Sequence, residues 1–309
     1  MGDTCCGDSM NHVKELIQDT LPGVYVKSIQ VGPDDSADKR AGFLGRLDDQ
    51  IDAACNDILD DPIIDAANGI NLIGFSQGGQ FLRALVERCE GMWPYRFISF
   101  GGQHAGIADV PSCSSSDSSA CSFARRLLRL GAYLPFVQSN VVQAQYYRDP
   151  NDYEGYLDKC TFLPDVNNEK EQNEAYKENI VGLDKIVLVR FSQEETVVPA
   201  ESSWFGWYNA TSGEAIPLKE TPLYQEDWLG LKEVDERGDL IFETAEGKHM
   251  QFSDEYLVSL VEEYFSEDAD AYPSKVSATL KTNRARGPRV AAQRAGQQVV
   301  TVQEQELDA

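Results

Sequence analysis

A serine lies between two glycines in Gly74-Phe75-Ser76-Gln77-Gly78, a G-x-S-x-G run. The apolar stretch Ile70 to Phe75 precedes it, and Phe81, Leu82, Leu85, Val86 and Cys89 follow at helical spacing. That junction has a chemical use. A serine on a sharp strand-to-helix turn projects its hydroxyl above the sheet, and glycines two before and two after relieve the crowding of a strained backbone. The N–H groups that follow, with the positive end of the helix, face the place where an oxyanion would develop. A glycine-rich turn with a serine cap is the competing reading. The strand before and the helix after favour a nucleophile. An unassisted serine is weak, so it needs a base, and the base needs an orienting carboxylate.

The chain offers His12, His104 and His249 as bases. In α/β-hydrolases the order along the chain is serine, acid, histidine. His12 precedes the serine and is excluded. His104 follows the very next strand candidate, Phe97 to Phe100, and leaves little room for an acid. His249 lies in Glu246-Gly247-Lys248-His249, a glycine-bearing loop after the last strand, where a base belongs. Alone it would be a solvated loop histidine; with Ser76 it becomes the candidate base. The acid should follow the long apolar strand Ile186 to Phe191. Glu194 and Glu195 both stand there, and the residue pattern does not choose between them.

The elements around these residues alternate. Val13, Leu16 and Ile17 mark a short amphipathic helix ended by Pro22-Gly23, and Val24 to Ile29 is a strand. Phe43 to Leu59 carries helical spacing, Leu240 to Phe242 is a late strand, and Glu255 to Phe265 a terminal helix. Strands alternating with helices argue a mainly parallel α/β sheet. Residues 105–185 interrupt the alternation and are expected to form a helical insertion between strands. The hydrolase domain is expected over 1–266. Residues 267–309, with few aromatics and no sustained period, are expected to be disordered.

Composition narrows the partners. The 309 residues include 51 acidic and 27 basic side chains, a net charge of −24. Most of such a surface repels a polyanion, so nucleic acid is excluded as a partner. An acidic compartment would neutralise part of that charge. No run of about 18 apolar residues is present to span a membrane, and no signal peptide opens the chain. Gly2 suits myristoylation, but Cys6 stands where Ser or Thr is wanted. Seven cysteines contain no C-x-x-C, and Cys55, Cys89, Cys113 and Cys121 are spaced like loop-closing pairs. Asn209-Ala210-Thr211 is an N-glycosylation acceptor pattern. Both features lean towards the secretory pathway.

At this point the chain resembles the palmitoyl-protein thioesterase family of lysosomal α/β-hydrolases. The matching stretches run in order along the chain. They are Met1-Gly2-Asp3 through Cys5-Cys6, Gly74 to Ala84, Gly101-Gly102-Gln103-His104, Gly131-Ala132-Tyr133, Trp204-Phe205-Gly206, Leu229 to Glu233, and Glu246-Gly247 with His249. The resemblance implies removal of long fatty acyl groups from cysteine thioesters, without metal or organic cofactor, in the lysosome or outside the cell. It places the nucleophile on Ser76, the base on His249 and the acid on Glu194, where the family pattern has aspartate. The oxyanion donors fall on the N–H groups of Gln77 and Met1. The implied disulfides are Cys5 with Cys6, Cys55 with Cys89, and Cys113 with Cys121; Cys160 is left as a free or buried thiol. The family has a signal peptide and a buried strand ahead of its Met-Gly-Asp. The expectation is therefore a precursor that extends upstream, and a sheet short of one central strand as the chain stands.

The implied chemistry is acyl transfer to Ser76, release of a thiol, then hydrolysis of the acyl-serine. The insertion should build the apolar groove, with Phe123, Leu127, Leu128, Leu130, Tyr133 and Phe136 as candidates. Two rivals share the motif: a lipase or carboxylesterase on the same fold, and a non-catalytic acyl-binding scaffold.

Overall fold

The computed structural model describes residues 4–67, 69–109, 131–209 and 211–266 together with the backbone of 299–305. In chain order the elements that frame the site are α1 (Asp8–Thr20), β1 (Tyr25–Ser28), α2 (Asp35–Ala41), α3 (Leu47–Asp60), α4 (Pro62–Ala66), β2 (Ile70–Ser76), α5 (Gln77–Arg88) and β3 (Pro94–Phe100). Further along the chain come α6 (Glu174–Val181), β4 (Lys185–Phe191), β5 (Trp207–Tyr208), β6 (Ala215–Ile216), β7 (Leu240–Ala245), α7 (Asp254–Phe265) and β8 (Val299–Gln305). Six strands form one parallel sheet in the order β1-β8-β2-β3-β4-β7, and β5 and β6 make a separate antiparallel hairpin.

Burial on both faces explains why β2 is apolar without interruption. Its alternate residues divide between two cores. Ile70 and Leu72 join the core beneath α3, α5 and the insertion. Ile73 and Phe75 join the other, with α1 and α7. Helix α3 turns Leu47, Ile51, Ala54 and Ile58 inward. The spacing of these positions is the helical period that marks it in the sequence. The Cys55–Cys89 disulfide ties α3 to the end of α5.

The expectation of disorder beyond residue 266 does not hold for 299–305. This segment lies between β1 and β2, with Tyr25 opposite Val299 and Ser76 opposite Gln305. Val299-Val300-Thr301-Val302 is a β-branched run suited to a strand. A central strand needs only about five or six residues, so a short run inside a polar tail escapes a window tuned to longer periods. The sheet accordingly has β8 as an inner strand, flanked by β1 and β2. Between β3 and β4 the described insertion consists of short helices, Pro135–Gln138, Tyr153–Lys159, Leu163–Val166 and α6, with a 3₁₀ turn at Val142–Gln145.

Candidate active site

Ser76 is the last residue of β2 and the cap of α5. Its backbone has φ 53° and ψ −124°, a conformation costly for a residue with a side chain. The glycine two before it has a steric reason. A Cβ on Gly74 would lie 2.7 Å from the Gly78 carbonyl oxygen and the Gly79 Cα. A Cβ on Gly79 would lie 2.1 Å from Ser99 Oγ, so α5 packs against β3 too closely for any side chain there.

His249 reaches this turn from the loop after β7. Its Nε2 lies 2.8 Å from Ser76 Oγ, and its Nδ1 lies 2.6 Å from Glu194 Oε2. A Nδ1–H donated to the carboxylate leaves Nε2 to accept the serine proton. The His249 loop is held at its base. Gln193 N–H donates to the Gly247 carbonyl at 2.9 Å, and Gly247 N–H donates to Ser192 Oγ at 3.1 Å. Phe191 meets the imidazole edge-on, with centroids 5.7 Å apart. Gly101 allows close approach on the other side; with φ +58°, a Cβ there would stand 3.0 Å from His249 Cε1. The sequence marks Gly101 only as the stop of a strand, and its contact with the ring depends on a loop 148 positions away.

The two glutamates that the sequence left open are distinguished by geometry. Glu194 is fully buried at its side chain, and its Oε1 accepts the N–H groups of Thr196 at 2.8 Å and Val197 at 3.0 Å. One carboxylate oxygen therefore fixes the turn and the other holds the ring. Glu195 points outward, with its Oε2 3.9 Å from Lys248 Nζ. The extra methylene of glutamate is accommodated by folding the side chain back onto its own loop.

The other histidines lie elsewhere. His12 makes an exposed pair with Asp254 at 2.9 Å, joining α1 to α7. His104 is fully buried, with Nε2 2.9 Å from Ser99 Oγ and its ring stacked on Phe205 at 4.7 Å. Burial first, then the Arg83 charge, holds it well below the ordinary histidine range. This second serine–histidine pair has no carboxylate on it among the described residues and is closed to solvent.

Gln77 opens α5 directly after the nucleophile, which places its N–H at the turn where an oxyanion would form. Met1 lies outside the described residues. The vicinal pair Cys5–Cys6 is bonded, and the Cys5 N–H donates to Asp38 Oδ2 at 2.9 Å. Cys5, Cys6 and Asp35 present possible ligand atoms within 4.8 Å of one another. With the two sulfurs joined to each other, the thiolates that a metal requires are lacking. Cys113 and Cys121 lie outside the described residues. Cys160 is buried and free, its thiol pushed up to about 12 by burial, and its Sγ donates to the Gln145 carbonyl.

Of the six groove candidates, Phe123, Leu127, Leu128 and Leu130 lie outside the described residues. Tyr133 packs at the core's margin, while Phe136 is 76% exposed. A cavity of about 330 Å³ does lie in the insertion side of the molecule, lined by Arg148, Tyr153, Trp207 and Trp228 among others, but none of Ser76, Glu194 and His249 borders it.

A parallel sheet, helices on both faces and a sharp strand-to-helix turn at Ser76 define an α/β-hydrolase. Comparison with known proteins narrows the class. Residues 1–249 match the family described as palmitoyl protein thioesterase. The chain is 45% identical to palmitoyl-protein thioesterase 1 of Caenorhabditis elegans, over 86% of this chain and 89% of the worm protein. It is 34% identical to palmitoyl-protein thioesterase 3 of Dictyostelium discoideum, over 80% and 82%. A lysosomal thioesterase of Rattus norvegicus is 28% identical over 75% and 74%. The chain belongs to the palmitoyl protein thioesterase family and is a thioesterase by class.

Proposed function

We propose that this protein hydrolyses long-chain fatty acyl thioesters, releasing palmitoyl groups from S-acylated cysteines of proteins or peptides. The observation that carries the reading is the line of contacts from Ser76 Oγ to His249 at 2.8 Å and from His249 to Glu194 at 2.6 Å. His249 Nε2 takes the Ser76 proton as Oγ attacks the acyl carbonyl. Glu194 holds the tautomer and stabilises the imidazolium. The Gln77 N–H, with a second N–H assigned to Met1, bears the oxyanion. Collapse breaks the C–S bond, and the imidazolium gives its proton to the departing sulfur. Water then attacks the acyl-serine, with His249 taking the water proton and returning it to Ser76 as the fatty acid leaves. No step calls for a metal or an organic cofactor.

The same reading assigns a lysosomal or extracellular site of action, in keeping with the name of the rat relative and the charge of −24. Among the described residues no helix is long and apolar enough to cross a membrane. It also assigns a glycan to Asn209 and a disulfide to Cys113 with Cys121. Asn209 stands at the tip of the β5–β6 hairpin, where its Oδ1 accepts the Thr211 and Ser212 N–H groups and leaves its amide nitrogen outside those bonds.

The test is hydrolysis of a palmitoyl cysteine thioester beside its oxygen-ester analogue. Thioester turnover should dominate and vanish in Ser76→Ala. A strong preference for the oxygen ester would move the protein to the lipases, and failure of Ser76 to react with a fluorophosphonate would leave only an acyl-binding scaffold.

A further inference from the structure

The Gln77 side chain is a buried carboxamide whose contacts the acyl-transfer steps leave unused. Its Nε2 donates to the Gly42 carbonyl at 3.3 Å, and its Oε1 accepts the Tyr146 hydroxyl at 2.9 Å. Gln143 closes the circuit: its Nε2 donates to the same Gly42 carbonyl at 2.9 Å, and its side chain hydrogen-bonds the Tyr146 hydroxyl. Tyr146 is fully buried, and burial holds its phenol far above the ordinary range, so it remains a neutral donor. The parts of this circuit come from three places. Gly42 closes α2, Gln143 and Tyr146 lie at the 3₁₀ turn of the insertion, and Gln77 begins α5. The insertion is stitched to the Gly42 loop by backbone bonds as well, from Val142 N–H to Phe43 and from Gly45 N–H to Asn140, both at 3.0 Å.

The turn that needs holding is strained. Ser76 sits at φ 53°, and α5 begins at the very next residue. A carboxamide anchored at both ends fixes the plane of the residue that carries the Gln77 N–H. We propose that Tyr146 is a positioning residue for acyl transfer: its hydroxyl, acting through the Gln77 carboxamide, fixes the direction of the Gln77 N–H towards the oxyanion. The inference rests on the reading of Ser76 as nucleophile and Gln77 as oxyanion donor. It gives the insertion a role in the chemical step beyond forming a groove.

Tyr146→Phe deletes only the hydroxyl and keeps the buried ring. For a palmitoyl thioester, kcat should fall roughly tenfold with KM within about twofold, since a misdirected donor weakens the transition state more than the ground state. Fluorophosphonate labelling of Ser76 should slow by a similar factor. Affinity for a palmitoyl trifluoromethyl ketone, which forms a tetrahedral adduct, should fall alike, while affinity for palmitic acid stays put. The inflection of the pH profile should not move, because His249 and Glu194 are untouched. In a Gln77→Met background, which lacks the carboxamide, Tyr146→Phe should cost nothing further. Wild-type kcat in Tyr146→Phe, parallel loss of ketone and palmitic acid binding, or an undiminished second loss in Gln77→Met overturns the proposal. If the wild type labels at Ser76 but leaves palmitoyl thioesters intact, the substrate assignment falls and the labelling rates alone decide on Tyr146. If the wild type does not label, both fall.

Discussion

Glu194 is the proposed orienting acid, and its geometry says why the length of its side chain matters. The carboxylate spans two tasks, with Oε1 on the Thr196 and Val197 amides and Oε2 on His249. Aspartate on the same backbone would be one methylene short of satisfying both. Glu194→Asp should therefore lower kcat/KM, by a smaller factor than Glu194→Gln. Glutamine can present an N–H to the ring and impose the wrong tautomer, and the same acid-to-amide change costs about 10⁴ in kcat where this triad has been dissected. Glu195→Gln should leave kcat/KM within about twofold, because the Glu195 carboxylate lies 3.9 Å from an exposed lysine and off the ring. Steady-state hydrolysis of a palmitoyl thioester by the three variants checks the order. Equal losses at 194 and 195 would mean that the two glutamates exchange roles in solution.

At the scale of elements, what was legible followed from local pattern, and what was not followed from distance along the chain. The strand at Ile70, the helix after Ser76 and the strand at Ile186 declare themselves because each is buried on two faces or shows one helical stripe. Ser76 and His249 could be paired from chain order alone. Glu194 could not be separated from Glu195, since loop direction is set by hydrogen bonds to Thr196 and Val197 that no periodicity encodes. Tyr146 and Gln77 are 69 positions apart, and nothing in either neighbourhood announces their bond. Strand β8 was missed for a related reason: its value to the sheet comes from the edges of β1 and β2, far from it in sequence. Those edges also make it testable. Among the described residues β1 pairs only with β8, and Thr301 sits in mid-strand opposite Lys27 and Leu72. Proline at that position removes a ladder donor and cannot lie in a central strand. Thr301→Pro, or removal of residues 299–309, should broaden and lower the thermal transition and abolish thioester hydrolysis, as followed by circular dichroism and turnover. An unchanged transition and full activity would place β8 outside the working fold.

For the whole molecule, the question is how a chain of net charge −24 behaves as pH falls. Protonation relieves self-repulsion between its carboxylates, which favours the compact state. Two buried groups add opposite contributions. Glu87 is fully buried beside Arg83 at 2.7 Å, and its Oε2 has no hydrogen-bond partner among the described residues. Burial, against the pull of Arg83 and Arg88 and with a small push from Asp165, raises its carboxyl from 4.5 to about 7. A raised folded value stabilises the fold fully below about 4.5 and loses that contribution as pH climbs through about 7. His104 is shifted the other way, by burial and by Arg83, so its contribution is complete above 6.5 and is lost as pH drops below it. Variants separate the two. Arg83 retains acceptors at Val166, His104 and Asn167 when Glu87 is neutralised, so Glu87→Gln leaves it bonded. The melting temperature of wild type minus that of Glu87→Gln should rise steadily between pH 7.5 and 4.5, whereas the same difference for His104→Asn should shrink over that range. Differential scanning fluorimetry at matched ionic strength reads both slopes. A flat Glu87→Gln difference would mean that Arg83 keeps the carboxylate ionised throughout.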